Sequence, residues 1–196
     1  MNNNIENRNK HRHFIEHYKD SLDRHENKSI ESIVKAYTSE PCTDIEKIIK
    51  KCLGGESPIK FDDLGKNFSG KIEKSGDQYI ITVNSTHPKN RQRFTMAHEF
   101  AHYVLHSDKI GDDDGIIDDA LYRSNKPLGF LVEVEANRFA GKILMPMEHI
   151  NTLARKGFNF GKIADELQVS KLALKVRLGI ANYDPSDDII ELSSKL

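Results

Sequence analysis

Arg91 to His106 reads RQRFTMAHEFAHYVLH, and this stretch constrains the fold more than any other. It holds neither Gly nor Pro, and Phe94, Ala97, Ala101, Val104 and Leu105 recur at helical spacing. The spacing predicts a helix with one apolar face, in which Thr95 is mildly unfavourable but tolerated. Such a helix carries His98, Glu99 and His102 toward the interior. Residues four apart project from the same side of a helix, so both imidazoles can reach one ion. Buried polar groups must be paired or hold a metal, so these three side chains need a reason to be there. Glu99, beside the first histidine, is placed to take a proton from water at that ion. The pattern H-E-x-x-H thus points to metal-assisted hydrolysis, against the plainer alternative of two hydrogen-bonded core histidines and a solvated glutamate. His106 follows His98 by a rise of about 12 Å, too far for both to share an ion bonded at about 2 Å. It reads as a helix C-terminal residue suited to the helix dipole and facing the cleft.

A catalytic metal needs a third protein ligand and one open position. Phe130 to Ile143, FLVEVEANRFAGKI, is the best supplier and also reads as a helix, with Leu131, Val134, Ala136, Phe139, Ala140 and Ile143 as its apolar set. Glu133 and Glu135 lie two apart, so only one of them can face the ion. Glu133 is preferred, because Asn137 lies four residues on along its own face and can orient a ligating histidine. Glu135 is then the solvated or structural one.

RFTMAHEFAHYVLH, then EVEANRFA, then Leu144-Met145-Pro146 together resemble the ImmA/IrrE family of metallopeptidase-like proteins, over about residues 44–180. The resemblance implies an α+β, zincin-like fold: a small mixed sheet packed on the active-site helix. It implies one Zn2+ held by His98, His102 and Glu133, with Glu99 as general base. It also implies cleavage of a helix-turn-helix transcriptional repressor, which derepresses a mobile element or a stress response. In zincins an edge strand beside the active-site helix binds substrate in extended form. By resemblance Tyr79, Ile80, Ile81, Thr82, Val83 and Asn84 are the candidates, and strand addition demands little of the substrate's sequence.

Composition excludes several other classes. The 196 residues suffice for one sizeable domain with an appendage. A net charge of −1 gives no bulk electrostatic case for nucleic acid or membrane. No apolar run is long enough to span a bilayer. The start, MNNNIENRNKHRH, lacks the apolar core of a secretory signal. Cys42 and Cys52 form no C-x-x-C pair, and two free thiols in a reducing cytoplasm are expected.

Four segments are expected. Residues 1–28 form a polar arm whose His11, His13, His17 and His25 read as solvated rather than metal-binding. Residues 29–145 form the metallopeptidase domain. It begins with a helix capped by Ser29 and another capped by Thr43, with Glu46 completing a capping box. Strands follow at Ile59 to Phe61, Gly70 to Glu73 and Gln78 to Asn84, with a hairpin turn at Ser75-Gly76-Asp77. Between the metal helices, Asp112, Asp113, Asp114, Asp118 and Asp119 lack calcium-loop spacing and read as a solvated acidic loop. Tyr122 and Arg123 in that loop are the nearest candidates to support an oxyanion. Residues 146–182 resemble a helix-turn-helix, with Ser170 capping the second helix and Lys171, Lys175 and Arg177 available to phosphates. Gln168 stands where a glycine is common in that turn, and near-neutral charge argues against strong DNA binding. Residues 183–196 form a polar tail. Two other functions compete with proteolysis: a zincin-fold regulator, of toxin–antitoxin type or similar, acting by protein contact alone, and a DNA-binding regulator.

Overall fold

The computed structural model describes residues 42–54, 57–76, 78–107, 110, 116–117 and 127–180. The expected N-terminal arm, the helix capped by Ser29, Tyr122, Arg123, all five named aspartates and the C-terminal tail lie outside the described residues. Within them the chain is α+β, with helix α1 (Ile45–Leu53), strands β1 (Ile59–Asp62), β2 (Gly70–Ser75) and β3 (Gln78–Asn84), helix α2 (Lys89–His106) and strand β4 (Ile116–Ile117). Helices α3 (Pro127–Leu144), α4 (Met147–Arg155), α5 (Phe160–Glu166) and α6 (Lys171–Leu178) complete it.

The sheet is mixed, in the order β1-β3-β2-β4. β3 runs parallel to β1 and antiparallel to β2, with Ser75 opposite Gln78 across the turn. Gly76 takes φ +59° in that turn, the left-handed geometry that two-residue hairpin loops favour. The reading of Tyr79 to Asn84 as a substrate-binding edge strand is therefore corrected for Ile81 to Asn84. From Ile81 to Asn84 β3 lies between β1 and β2 and has no free edge to offer, whereas among the described residues Tyr79 and Ile80 are paired with β2 alone. Its sequence is consistent with this, because consecutive Ile81, Thr82, Val83 and Asn84 are all buried, the pattern of a strand covered on both faces. Among the described residues the outer strands are β1 and the two-residue β4.

α2 lies between the sheet and α3. It does not keep a solvent face: Thr95 to His106 are buried without interruption. Ile72, Ile81 and Val83 meet Ala97 and Ala101 in the core on the sheet side. Toward α3, the Phe100 and Phe139 rings meet edge-on with centroids 6.0 Å apart. Close approach of helix to sheet depends on Gly70. A Cβ there would overlap Thr95 Cγ2 and sit 2.9 Å from the Thr82 carbonyl oxygen.

The cap of α1 differs from expectation. Asp44, not Thr43, is the N-cap, and its Oδ1 accepts from Lys47 N–H at 3.0 Å. The fully buried Thr43 hydroxyl instead donates to the Ile143 carbonyl at 2.8 Å. Ile143 sits in the last turn of α3, where carbonyls lack helical partners, so a tertiary bond displaced the local one. Glu46 pairs with Lys50 at 3.6 Å rather than closing a capping box.

Helices α4 to α6 contribute Ile150, Leu153, Phe160, Ile163, Leu167 and Leu174 to the same core as the sheet and α2. Ser170 caps α6, accepting from Ala173 N–H at 3.0 Å. Arg177 turns back from α6, and its Nε donates to the Met145 carbonyl at 3.1 Å. In the α5–α6 turn Gln168 adopts φ +53°, alone among the described non-glycine residues in having a positive value. None of the described helices is long and apolar enough to cross a membrane.

Two outcomes are expected from denaturant unfolding. Gly70→Ala should lower stability by about 1–3 kcal/mol, the usual cost of overpacking a tight contact. Gln168→Gly should raise the unfolding midpoint, because left-handed geometry costs an L-residue roughly 1–2 kcal/mol and a glycine substitution gives back only part of that in chain entropy. A lower midpoint for Gln168→Gly would show that the glutamine side chain makes contacts worth more than the strain.

Candidate metal centre

α2 presents His98 and His102 toward α3, and α3 presents Glu133 back to them. The two imidazole rings meet nearly at right angles, and their Nε2 atoms are 3.1 Å apart. Glu133 Oε2 lies 3.2 Å from His98 Nε2, and Glu133 Oε1 lies 3.5 Å from His102 Nε2. All three residues are buried, and among the described residues they form the one cluster of potential metal ligands. Donors bonded to an ion at about 2.0–2.1 Å in a tetrahedron lie about 3.3 Å from one another. The observed triangle has that size.

The chemistry of these donors also fits a cation. A carboxylate and two imidazole nitrogens converge on one point, out of water. A single proton between any two of them leaves the third without a positive partner, and a buried carboxylate without one is costly. Glu133 Oε1 makes no hydrogen bond within the protein although it is fully enclosed. A divalent ion would satisfy all three at once.

The far side of each imidazole is also held. His98 Nδ1 lies 3.2 Å from Asn137 Oδ1, the contact expected of Asn137. Since the amide oxygen only accepts, His98 carries its proton on Nδ1, and its Nε2 lone pair faces the cluster. His102 Nδ1 lies 3.0 Å from His106 Nδ1, and His106 Nε2 lies 3.3 Å from Glu135 Oε2. The two glutamates are thereby separated: Glu133 enters the ligand triangle, and Glu135, 41% exposed at its side chain, meets His106. Sequence reasoning left Glu135 as a solvated or structural glutamate and missed its link to His106. His106 was read as a dipole-facing terminal residue, whereas it is almost wholly buried behind His102. The signal available was the second i,i+4 histidine pair, His102 and His106, on the same face as the first.

Glu99 is 1% exposed and lies on the sheet side of α2, close to the start of β2. A Cβ on Gly70 would come within 3.4 Å of Glu99 Oε1. The glycine that lets helix and sheet approach also leaves room for the carboxylate.

A peptidase family model described as the IrrE N-terminal-like domain matches residues 59–179, from β1 to the end of α6. The radiation response metalloprotease IrrE of Deinococcus deserti is 34% identical over 91 residues, which cover 46% of this chain and 31% of that protein. Its namesake in Deinococcus radiodurans is 34% identical over 88 residues, covering 45% of this chain and 26% of the relative. The chain thus spans less than a third of the length of these relatives. The family match takes in both metal-facing helices and the helices packed beneath them, and by it the chain belongs to the IrrE N-terminal-like family of metallopeptidase domains.

Proposed function

We propose that the protein is a zinc-dependent endopeptidase that cuts a helix-turn-helix transcriptional repressor and so releases a stress response or a mobile element. The observation that carries this reading is the buried His98–His102–Glu133 triangle with Glu99 on the same helix. Two imidazoles, one carboxylate and a remaining open position are the donor set of hydrolytic zinc sites. The names of the two relatives, radiation response metalloproteases, support both the chemistry and the stress setting. The setting proposed for the protein is the cytoplasm, where Cys42 and Cys52 would stay as thiols.

His98, His102 and Glu133 would hold one zinc ion, which when bound would supply a Lewis acid and a water of pKa about 7. Glu99 serves as general base. Its carboxylate accepts the proton that water loses on attacking the scissile carbonyl carbon, and returns it to the leaving amine as the C–N bond breaks. Asn137 holds His98 in the tautomer that ligation requires. An extended substrate needs a sheet edge. Since β3 is interior from Ile81 to Asn84, the β4 side is the candidate, because β4 pairs with Lys71 and Ile72 next to Gly70 and Glu99.

The α5–α6 unit favours protein over nucleic acid as its contact. Leu172 and Val176 are exposed on α6, while Arg177 is turned inward. Burial also pulls the Arg177 pKa below its usual value. A groove of about 480 Å³ between α3 and α6 is lined by Phe94, Val134, Met145, Ala173 and Val176, with Arg138, Lys142 and Arg177 also on its wall.

Metal analysis combined with a cleavage assay on the candidate repressor tests the reading. Wild type should hold one zinc per chain and give discrete fragments. Glu99→Gln should keep the zinc and lose roughly 10²- to 10⁴-fold in rate, the usual worth of a general base. His98→Ala and His102→Ala should lose zinc and cleavage together. Full cleavage by metal-free protein would sink the proposal. Zinc-loaded protein that binds the repressor and leaves it intact would transfer the reading to a regulator acting by contact.

A further inference from the structure

We propose that His106 and Glu135 form a brace that fixes His102 as a metal ligand, which makes both of them positioning residues for the centre. The inference rests on the reading that His98, His102 and Glu133 hold a metal ion.

Proton placement decides the role of each ring. Two Nδ1 atoms 3.0 Å apart, those of His102 and His106, need one proton between them. If His106 supplied it, His102 would carry its own proton on Nε2, pointing into the ligand triangle, and could not bind an ion. His102 therefore donates from Nδ1, and His106 accepts at Nδ1. A neutral His106 then has its proton on Nε2, which faces Glu135 Oε2 at 3.3 Å. The carboxylate accepts and holds that tautomer. The chain Glu135–His106–His102 thus has one direction compatible with ligation, and it ends with the His102 lone pair aimed at Glu133 and His98.

The geometry supports a rigid role. His102 and His106 are both almost wholly buried, with ring centroids 5.1 Å apart, one helical turn from each other on α2. Glu135 comes from α3, two residues from Glu133. α3 therefore contributes a ligand, Glu133, and separate braces for each histidine ligand of α2: Asn137 for His98 and Glu135, through His106, for His102. Groups in this position raise the basicity of the ligand and fix its ring, and losing one typically costs 10- to 100-fold in metal affinity.

The test measures Co2+ affinity of the full chain by competition with a chelator, together with the visible ligand-field spectrum and the melting temperature of the metal-free protein. His106→Phe keeps a ring of similar size and removes the acceptor. It should weaken Co2+ binding by about 10- to 100-fold and alter the cobalt spectrum, with little change in metal-free melting. His106→Asn restores an acceptor near the Nδ1 position and should recover most of the affinity. If His106→Phe binds cobalt as tightly as wild type, or if His106→Asn is no better than His106→Phe, the brace is overturned. Should His106→Phe fail to fold, Glu135→Ala decides: weaker cobalt binding supports the brace and unchanged binding overturns it. A wild type that binds no cobalt overturns the underlying metal site as well, a different result from tight binding by wild type and variant alike.

Discussion

Everything in this structure is arranged around an electrostatic demand: two imidazoles and a carboxylate are buried together where water cannot solvate them. Such a group is unfavourable by several kcal/mol unless a positive partner sits among its members. The two helices that supply it are also the most extensively packed pair in the fold. α2 is enclosed on every side over its last three turns, and α3 closes it from above through Phe139, Ala136 and Ala140. The apolar packing holds the donors in place, and the donors give the packing a chemical purpose.

That enclosure has structural consequences at a distance. The sheet has to approach α2 closely, which requires Gly70 opposite Thr95. The end of α3 has to be secured, and Thr43 does this from α1 by bonding the Ile143 carbonyl. Arg93 on α2 in turn donates to the Thr43 carbonyl at 2.8 Å and approaches Cys42 Sγ at 3.2 Å. Cys42 is held above its usual pKa, first by burial, against the opposing pull of Arg93. α6 ties in through Arg177 at the Met145 carbonyl. The helix-turn-helix-like unit is thereby joined to the metal-bearing helices by side-chain to backbone bonds as well as by a shared core. A strained left-handed Gln168 is carried in its turn at some energetic expense.

Much of the site was legible before any tertiary structure. His98 and His102 share a helix face because four residues make nearly one turn, a local fact. Glu133 was favoured over Glu135 because Asn137 lies one turn beyond it, and the structure places Glu133 in the triangle and Asn137 behind His98. The hairpin at Gly76 and the Ser170 cap follow from the same short-range rules. Where reasoning from the sequence failed, a long-range contact had won. Thr43 was available as a cap and was taken by α3. The YIITV run announced a strand but not its neighbours, and only the parallel pairing with β1 made its second half, from Ile81, interior.

The sequence by itself determined the two metal-facing helices, the Ser170 cap, and the pair of histidines with a glutamate between them, because these depend on spacing within a turn or two of chain. Tertiary structure alone decided what stands behind the ligands. His106 lies next to His102 by helical spacing, yet its meaning comes from Glu135, 29 residues away on another helix. The sheet order, the use of Gly70 and the direction of the proton chain through His106 likewise depend on which elements come together. Helical periodicity acts over a few residues, whereas burial acts through space, and the tautomer of a buried histidine is set by whatever burial brings to its other nitrogen.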